Sequence, residues 1–473
     1  MNVRASALKT FPQDPGRWLE GRVVFVVGAG VALVGFGLFI GNMIGHGAWL
    51  YLGLVSVAIP AILWPIEAAV GLYAFMIPFD SVTALGDAKT GTTLNLLVGG
   101  MAGAALLGTG LMRHRLRWPS RSAWLWLLFL GWNALTIVWA LQPDFALHEL
   151  LTPISLVLLY LAAVSWPVSE KQLSWLTRAT IAGGCVASWM AIYLFSSGVS
   201  YLSWTSRASL VVAGRETNPD RFAAELLLPL ALVAAELLSA RSWWGKMLAG
   251  LASASICYTI FITMSRASLV AIGVMLLVFA VRIGINRRML IFGLILAGLV
   301  SLMPSTFFLR LRDMIASGGD GRFDIWAVGW AAWKKYGLWG AGFANFPIAY
   351  QDFAGVSRIF RGYSRASHNA FLQTAVELGI VGMLLLAYAL YSHFSEFRRL
   401  RLAEPAAPKS RLSLLLVGLE AAGWAMMAFG FFADILWEKT FWLTLMLSLM
   451  AIGTSRALPA VRRRGAAANG ITQ

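Results

Sequence analysis

SHNAFLQTAVELGIVGMLLLAYALYS, residues 367–392, decides the fold class of this chain. After Ser367-His368-Asn369 it runs apolar for about the twenty residues that a helix needs to cross a bilayer core of roughly 30 Å. A histidine opens the run, Glu377 sits inside it, and a polar segment with Arg358, Arg361 and Arg365 precedes it. Ionisable residues at a membrane boundary cost free energy, so their repetition on one side points to a charged ligand there.

Runs of this kind recur along all 473 residues. The chain is 59% hydrophobic and 13% charged, with mean hydropathy +0.71, whereas a soluble domain carries about 25% charged residues. The fold class is therefore all-α, a polytopic integral membrane protein with about 12–14 transmembrane helices and one long, partly helical loop. The runs fall near 23–41, 48–63, 65–78, 92–111, 122–140, 148–166, 172–195, 221–239, 246–263, 266–281, 288–304, 368–392, 412–431 and 435–453. The run at 65–78 is short and holds Glu67, as a re-entrant segment would. No small-residue cleavage site follows the first run, which reads as a membrane helix and not as a signal peptide. Cys185 and Cys257 lie in apolar runs and read as buried small hydrophobes. No Cys/His spacing points to a metal, and no Gly-rich phosphate loop points to ATP.

Basic residues set the orientation. Arg113, Arg115, Arg117 and Arg121, then Arg241 and Lys246, Arg282, Arg287 and Arg288, the 393–411 loop and the C-terminal arginines share the N-terminal side, which should be cytoplasmic. Much of the net charge of +16 is thus a topology signal, and no nucleic-acid partner is needed to explain it. The segments 196–220 and 305–367 face the other side. There Arg215 and Arg221 flank a turn, Arg215-Glu216-Thr217-Asn218-Pro219-Asp220-Arg221, and Arg266 follows the tight turn Thr263-Met264-Ser265. A guanidinium fork suits a phosphate-bearing ligand. The alternatives are an interfacial anchor, with Arg221 paired to Glu225 at i+4, and a snorkelling role for Arg266.

Within 305–367, Trp326, Trp330 and Trp333 at i, i+4, i+7 predict an amphipathic helix at the membrane interface. Gly340-Ala341-Gly342-Phe343-Ala344-Asn345-Phe346 then forms a turn. Leu372, Gly379 and Gly382 share one stripe with His368, which is expected to point into the bundle as a general base or a residue that positions a hydroxyl. Glu377 lies half a turn away and is not its partner on that helix. His46, His114, His148 and His393 fall in loops or span ends and are assigned no role. The tryptophans elsewhere read mostly as interfacial anchors.

His368-Asn369, then Gly379 and Gly382, resembles the histidine motif of the bacterial O-antigen ligases. Arg215 with Asn218-Pro219, Ser265-Arg266 and Gly340-Ala341-Gly342 resemble the wider O-antigen ligase and polymerase superfamily. This likeness covers roughly the second half of the chain. It implies a glycosyltransferase of the bacterial inner membrane with a periplasmic active site and cytoplasmic termini, independent of metal and ATP, with no cofactor. Its donor would be an undecaprenyl-pyrophosphate-linked polysaccharide and its acceptor the lipid A–core oligosaccharide. By carry-over, Arg215 and Arg266 clamp the pyrophosphate and His368 engages the acceptor hydroxyl. Arg221, Asn369, Arg358, Arg361 and Arg365 complete the substrate-binding set, the last three toward phosphorylated core sugar. On that reading the chain divides into a cytoplasmic segment (1–22), a transmembrane region (23–304), a periplasmic loop with an interfacial helix (305–367), C-terminal transmembrane helices (368–453) and a basic cytoplasmic tail (454–473). Competing readings are an O-antigen or exopolysaccharide polymerase and a protein O-oligosaccharyltransferase. A lipid-linked sugar transporter is a further alternative, but it would show two-fold repetition with broken helices in both halves, and the sequence has no such symmetry.

Overall fold

Capping side chains set where several membrane helices begin. Thr93, Ser242 and Ser410 each accept a backbone N–H two or three residues into the helix that follows, and Ser169 with Gln172 closes a full capping box. Each cap satisfies donors that a helix start otherwise leaves unpaired. The computed structural model describes residues 61, 63–85, 92–114, 116–202, 206–212, 214–285, 321–360, 362–403 and 410–451, with isolated helical positions at 293, 294, 298, 308 and 312. The runs expected at 23–41, almost all of 48–63 and nearly all of 288–304, the segment 1–22 and the tail 454–473 lie outside the described residues.

Among the described residues, nine helices are long and apolar enough to cross a membrane. They are α2 (Leu94–Met112), α3 (Arg121–Trp139), α4 (Pro143–Val164), α5 (Glu170–Ser196), α6 (Pro219–Ser239), α7 (Trp243–Ile262), α8 (Arg266–Ile283), α11 (Ala370–Ala403, crossing over Ala370–Arg399) and α12 (Arg411–Gly430). Two shorter apolar helices flank them, α1 (Pro65–Phe79) and α13 (Lys439–Ala451). The apolar runs read from the sequence fall within about five residues of each of these, except that α11 continues past the expected end at 392 to Ala403. The protein is an all-α, multi-pass membrane protein, and its only described strands are two short hairpins, β1–β2 (Ala84–Leu85, Thr92–Thr93) and β3–β4 (Val211–Val212, Arg215–Glu216).

The most apolar windows of α6 and α12 are 78% buried, against 33–50% for the other long helices. These two are therefore the inner layer. α6 packs on α5, α7 and α12, and α8 packs on α12. α1 begins as a π-helical turn (Pro65–Val70). There Gln172 donates to the Glu67 carboxylate (2.8 Å) and the Trp175 indole donates to the Glu67 carbonyl (3.0 Å), so the acid inside this short run is paired by α5. Trp126 and Trp442 are fully buried and pack edge-to-face at 5.2 Å; these two belong to the core, whereas Trp118, Trp243 and Trp244 are exposed as anchors would be. Cys257 is buried, Cys185 is half-buried, and both are free thiols.

The amphipathic helix expected around Trp326 is present as α9 (Arg322–Tyr336). Ile325, Val328, Gly329 and Ala332 are its buried face, and Phe323 and Trp330 its exposed one. With α10 (Phe346–Gln351) it forms a small satellite core under the first turns of α11, built from Val328, Phe346, Tyr350 and Val376.

α11 corrects the expectation of a continuous helix with a glycine packing stripe. It is broken at Gly379, which sits at φ 66°, ψ −166°, a region essentially reserved for glycine. The break releases carbonyls that the loop before α10 takes up. Ala341 N–H donates to Val376 O (2.8 Å), Gly342 N–H to Glu377 O (2.9 Å), and the Trp132 indole to Leu378 O (3.0 Å). In return Ile380 N–H donates to Gly337 O (2.8 Å). A Cβ on Gly379 would collide with Leu338 O, and one on Gly340 (φ 86°) with Glu377 O. Replacing Gly379 by alanine should therefore cost about 1–3 kcal/mol from the backbone alone and lower the melting temperature of the detergent-purified protein. Gly250→Ala on α7, where a Cβ meets open space, should leave it unchanged. Equal melting for both variants would show that the break carries no strain.

Candidate functional site

Contacts bring the starts of α6, α8, α11 and α13 and the ends of α1 and α3 to one end of the bundle: Asp80 meets Arg221 and Lys439, Arg207 ties Asp220 to Thr263, Asp434 holds Ser367 and Asn369, and Thr136 accepts from Phe343 N–H. The candidate residues gather there. Ser367-His368-Asn369 forms the turn into α11. Asn369 is the N-cap, its Oδ1 accepting from the N–H groups of Phe371 and Leu372 (3.0 Å each). His368 adopts a left-handed backbone, φ 49°, and is exposed. It precedes the helix and does not share the Gly379 stripe inside the bundle, as had been expected. Asp434, in the connection between α12 and α13, fixes this turn on both sides of the histidine. Its Oδ1 accepts from Ser367 Oγ (2.5 Å) and from Asn369 N–H (3.2 Å). The Trp326 indole of α9 donates to Ser367 O (3.2 Å).

Glu377, further along α11, holds the loop before α10. Its carboxylate accepts from Ala344 N–H, Phe346 N–H and Gln373 Nε2, each at 3.1 Å. One buried carboxylate thus holds the turn Gly342–Phe346 onto α11. Asn345 extends the lock, accepting from Gln142 N–H (2.7 Å) and donating to Phe343 O (2.7 Å).

An ion cluster that sequence reasoning missed lies beside these elements. Asp80, at the end of α1, pairs with Lys439 and with Arg221 (3.2 Å). Lys439 also donates to Thr93 Oγ1 (3.0 Å), and Thr93 donates to Asp80 (2.7 Å). Arg221 reaches Glu438 (2.8 Å) and Glu225 (3.6 Å) as well. The expected i+4 pair is therefore real, but it is one of three. Burial of Asp80 alone would raise its pKa; the adjacent Lys439, then Arg221, outweigh that and hold it below the ordinary 3.8. A depressed carboxylate stabilises the fold fully above its ordinary value and loses that contribution only as pH falls through its lowered one. Glu438 goes the other way, raised chiefly by burial. The sequence held a signal for this cluster: Asp434, Glu438 and Lys439 crowd the junction of two apolar runs, and the span drawn at 435–453 placed two of them inside the membrane.

The remaining candidates spread around this centre. Asn218 caps α6 by accepting from Asp220 and Arg221 N–H (2.9 and 3.3 Å). Arg215 lies half-buried on β4, which packs on Ser81–Thr83. Arg207 donates to Thr263 O (2.8 Å) and Asp220 (2.9 Å), tying this segment to the turn before Arg266. In that turn Met264 is left-handed, φ 54°, and Arg266, half-buried, is the first residue of α8. α6 and α8 touch near these starts. Arg358 and Arg365 are exposed, and Arg361 lies outside the described residues, as does His46. His114 and His148 are exposed. His393, expected at a span end, is instead buried within α11.

Between the histidine turn and the ion cluster opens a cleft of about 120 Å³. Its lining includes Asn133, Gln373, Glu377, Asp434, Trp437 and Glu438. Among the described residues, a bundle with a helix broken at Gly379, the connection 321–360 packed against it and a polar cleft at one end defines a multi-pass membrane protein with a candidate site at the bundle's rim. Residues 248–387 match the family described as O-antigen ligase, a stretch that contains Arg266, His368, Asn369 and Glu377. The chain is also 26% identical over 321 residues, covering 63% of this chain and 70% of the relative, to the exopolysaccharide production protein ExoQ of Rhizobium meliloti (strain 1021). These two matches support an O-antigen ligase-family protein, a multi-pass membrane protein similar to enzymes of the ligase and polymerase type.

Two measurements test this geometry. Asp434→Ala should release both ends of the turn and lower activity at least tenfold, while Asp434→Asn, which keeps an acceptor oxygen, retains more; equal loss in both would argue against a hydrogen-bonding role. Asp80→Ala leaves Lys439 buried without its carboxylate, a change that typically costs about 3–5 kcal/mol. It should cut the yield of folded protein sharply, and Lys439→Met in the same chain should restore much of it. A double variant no better than the single would sink the pairing as the cause.

Proposed function

We propose that this chain transfers a polysaccharide from an undecaprenyl-pyrophosphate carrier to a sugar hydroxyl on the lipid A–core oligosaccharide. The reaction would run at the periplasmic face of the bacterial inner membrane, with both termini cytoplasmic. The observation that carries this reading is His368, held exposed at a helix start by Asp434, at the same end of the bundle as Arg215 and Arg266. Pyrophosphate is a good leaving group. The protein's work is then to orient the acceptor and stabilise the charge that develops on the departing oxygen.

In the proposed step the acceptor oxygen bonds to the anomeric carbon of the donor. The bond from that carbon to the pyrophosphate oxygen breaks, and the hydroxyl proton passes to the His368 imidazole. Arg215 and Arg266 take the charge of the leaving undecaprenyl pyrophosphate. Arg358 and Arg365, exposed beyond the histidine turn, with Arg361, meet phosphate on the core. Asn369 serves through its cap, setting the direction of α11, and Arg221 is largely engaged by carboxylates.

The likeness to ExoQ, a protein named for exopolysaccharide production, favours a second reading, a polymerase with the same donor and a growing chain as acceptor. Lipopolysaccharide banding separates the two. In a strain lacking this gene, the wild type should restore the ladder of long chains on lipid A–core. His368→Ala at matched expression should not, since a general base contributes roughly 10²–10⁴-fold, and polymer should accumulate on its carrier. Core bearing single repeat units, or loss of secreted polysaccharide with an intact ladder, would establish the polymerase reading instead.

A further inference from the structure

The cleft beside the histidine turn has an inventory unlike that of the arginines around it. Its polar lining sets the carboxyl groups of Glu377, Asp434 and Glu438 beside amides and a hydroxyl, those of Asn133, Gln373 and Thr374, which each donate to a protein carbonyl or carboxylate oxygen. Asp434 and Glu438 each engage one carboxylate oxygen in the contacts described above, Oδ1 with the Ser367-Asn369 turn and Oε2 with Arg221. Glu377 takes two donors on Oε1 and one on Oε2. Carboxyl groups already engaged by protein donors leave phosphate and pyrophosphate few donors to meet in this space.

A second observation comes from α3, which the transfer reaction as argued does not use. Asn133 lines the cleft and is only 1% exposed. Its Nδ2 donates to Phe129 O (2.6 Å), which fixes the orientation of the amide because a carbonyl can only accept. Its Oδ1 is buried with no hydrogen-bond partner. An unpaired buried carbonyl costs on the order of 1–3 kcal/mol, and a ligand that brings a donor removes that cost. The cleft is also larger than a single water needs, and Trp437 supplies an apolar wall.

We infer that this cleft is a sugar-ring subsite that takes a neutral or amino sugar through its hydroxyl or ammonium donors, with Asn133 as a specificity-determining residue. The inference rests on the glycosyl-transfer reading and deepens it. The ring is held by acceptor atoms next to His368, while anionic groups are turned away toward the arginines. The ring belongs either to the acceptor core or to the donor's repeat unit; the chemistry is the same.

The test uses the full-length protein in lipid nanodiscs, without donor lipid, and calorimetric titration. Two probes are compared, dephosphorylated core oligosaccharide and free repeat-unit oligosaccharide from the same strain. The wild type should bind one of them, and that one names the source. Asn133→Leu should weaken it about 10–100-fold, the cost of one buried hydroxyl left unpaired, and Asn133→Ala should do the same if leucine perturbs folding. Inorganic pyrophosphate should not compete. Binding of neither probe, binding indifferent to Asn133, or displacement by pyrophosphate would overturn the subsite. Transfer by the same preparation is measured separately: a wild type that transfers with Asn133-independent binding sinks the subsite alone, and one that binds through Asn133 but never transfers sinks the transfer reading alone.

Discussion

In a bilayer core every backbone N–H and C=O needs a partner from the protein, since no water is there to supply one. A helix broken at Gly379 violates that demand unless something replaces the lost bonds. In this protein the replacement comes from Gly337–Gly342, whose N–H and C=O groups meet Val376, Glu377 and Ile380 in turn. The break and the loop are therefore one device. Gly379 has no Cβ to fend off Leu338 and Gly340, and Gly340 has none to fend off Glu377. Neither element keeps its shape without the other, and the Ser-His-Asn turn is connected to both.

The loop is locked a second time by charge. A buried carboxylate is expensive unless several donors satisfy it, and Glu377 has three, two of them from the backbone of the loop it holds. Asp434 does the same for the histidine turn, with one hydroxyl and one N–H. Asp80 and Lys439 complete the pattern between the first and last described helices. Holding groups in place before a substrate arrives is what makes electrostatic stabilisation effective in catalysis.

The helices were legible because hydropathy and capping residues are local signals. Ser169 with Gln172, or Asn218 before Pro219, can be read from neighbours a few positions apart. Arg221 with Glu225 was legible for the same reason. Asp80 with Lys439 was not, because 359 positions separate them and only packing brings them together. The break in α11 was misread because a glycine at a helix-packing stripe and a glycine at φ 66° look identical in sequence. That misreading also turned His368 inward. The partner of its turn, Asp434, stood in plain view between two apolar runs, but nothing local connects it to Ser367.

The charges at this end of the bundle sort themselves by partner. Arg221 faces three carboxylates, so the field it offers to a further anion is largely cancelled, and its effect falls on the α6 start and the connection before α13. Arg358 and Arg365 are exposed, where their attraction for a phosphate is screened over a Debye length of about 8 Å at physiological salt. The cleft differs from both, since its lining holds the carboxyl groups of Glu377, Asp434 and Glu438 and no arginine or lysine. A ligand with an anionic end and a polyhydroxylated ring would be oriented by that contrast before any specific contact forms, its phosphate drawn away from the carboxylates and its hydroxyls toward them.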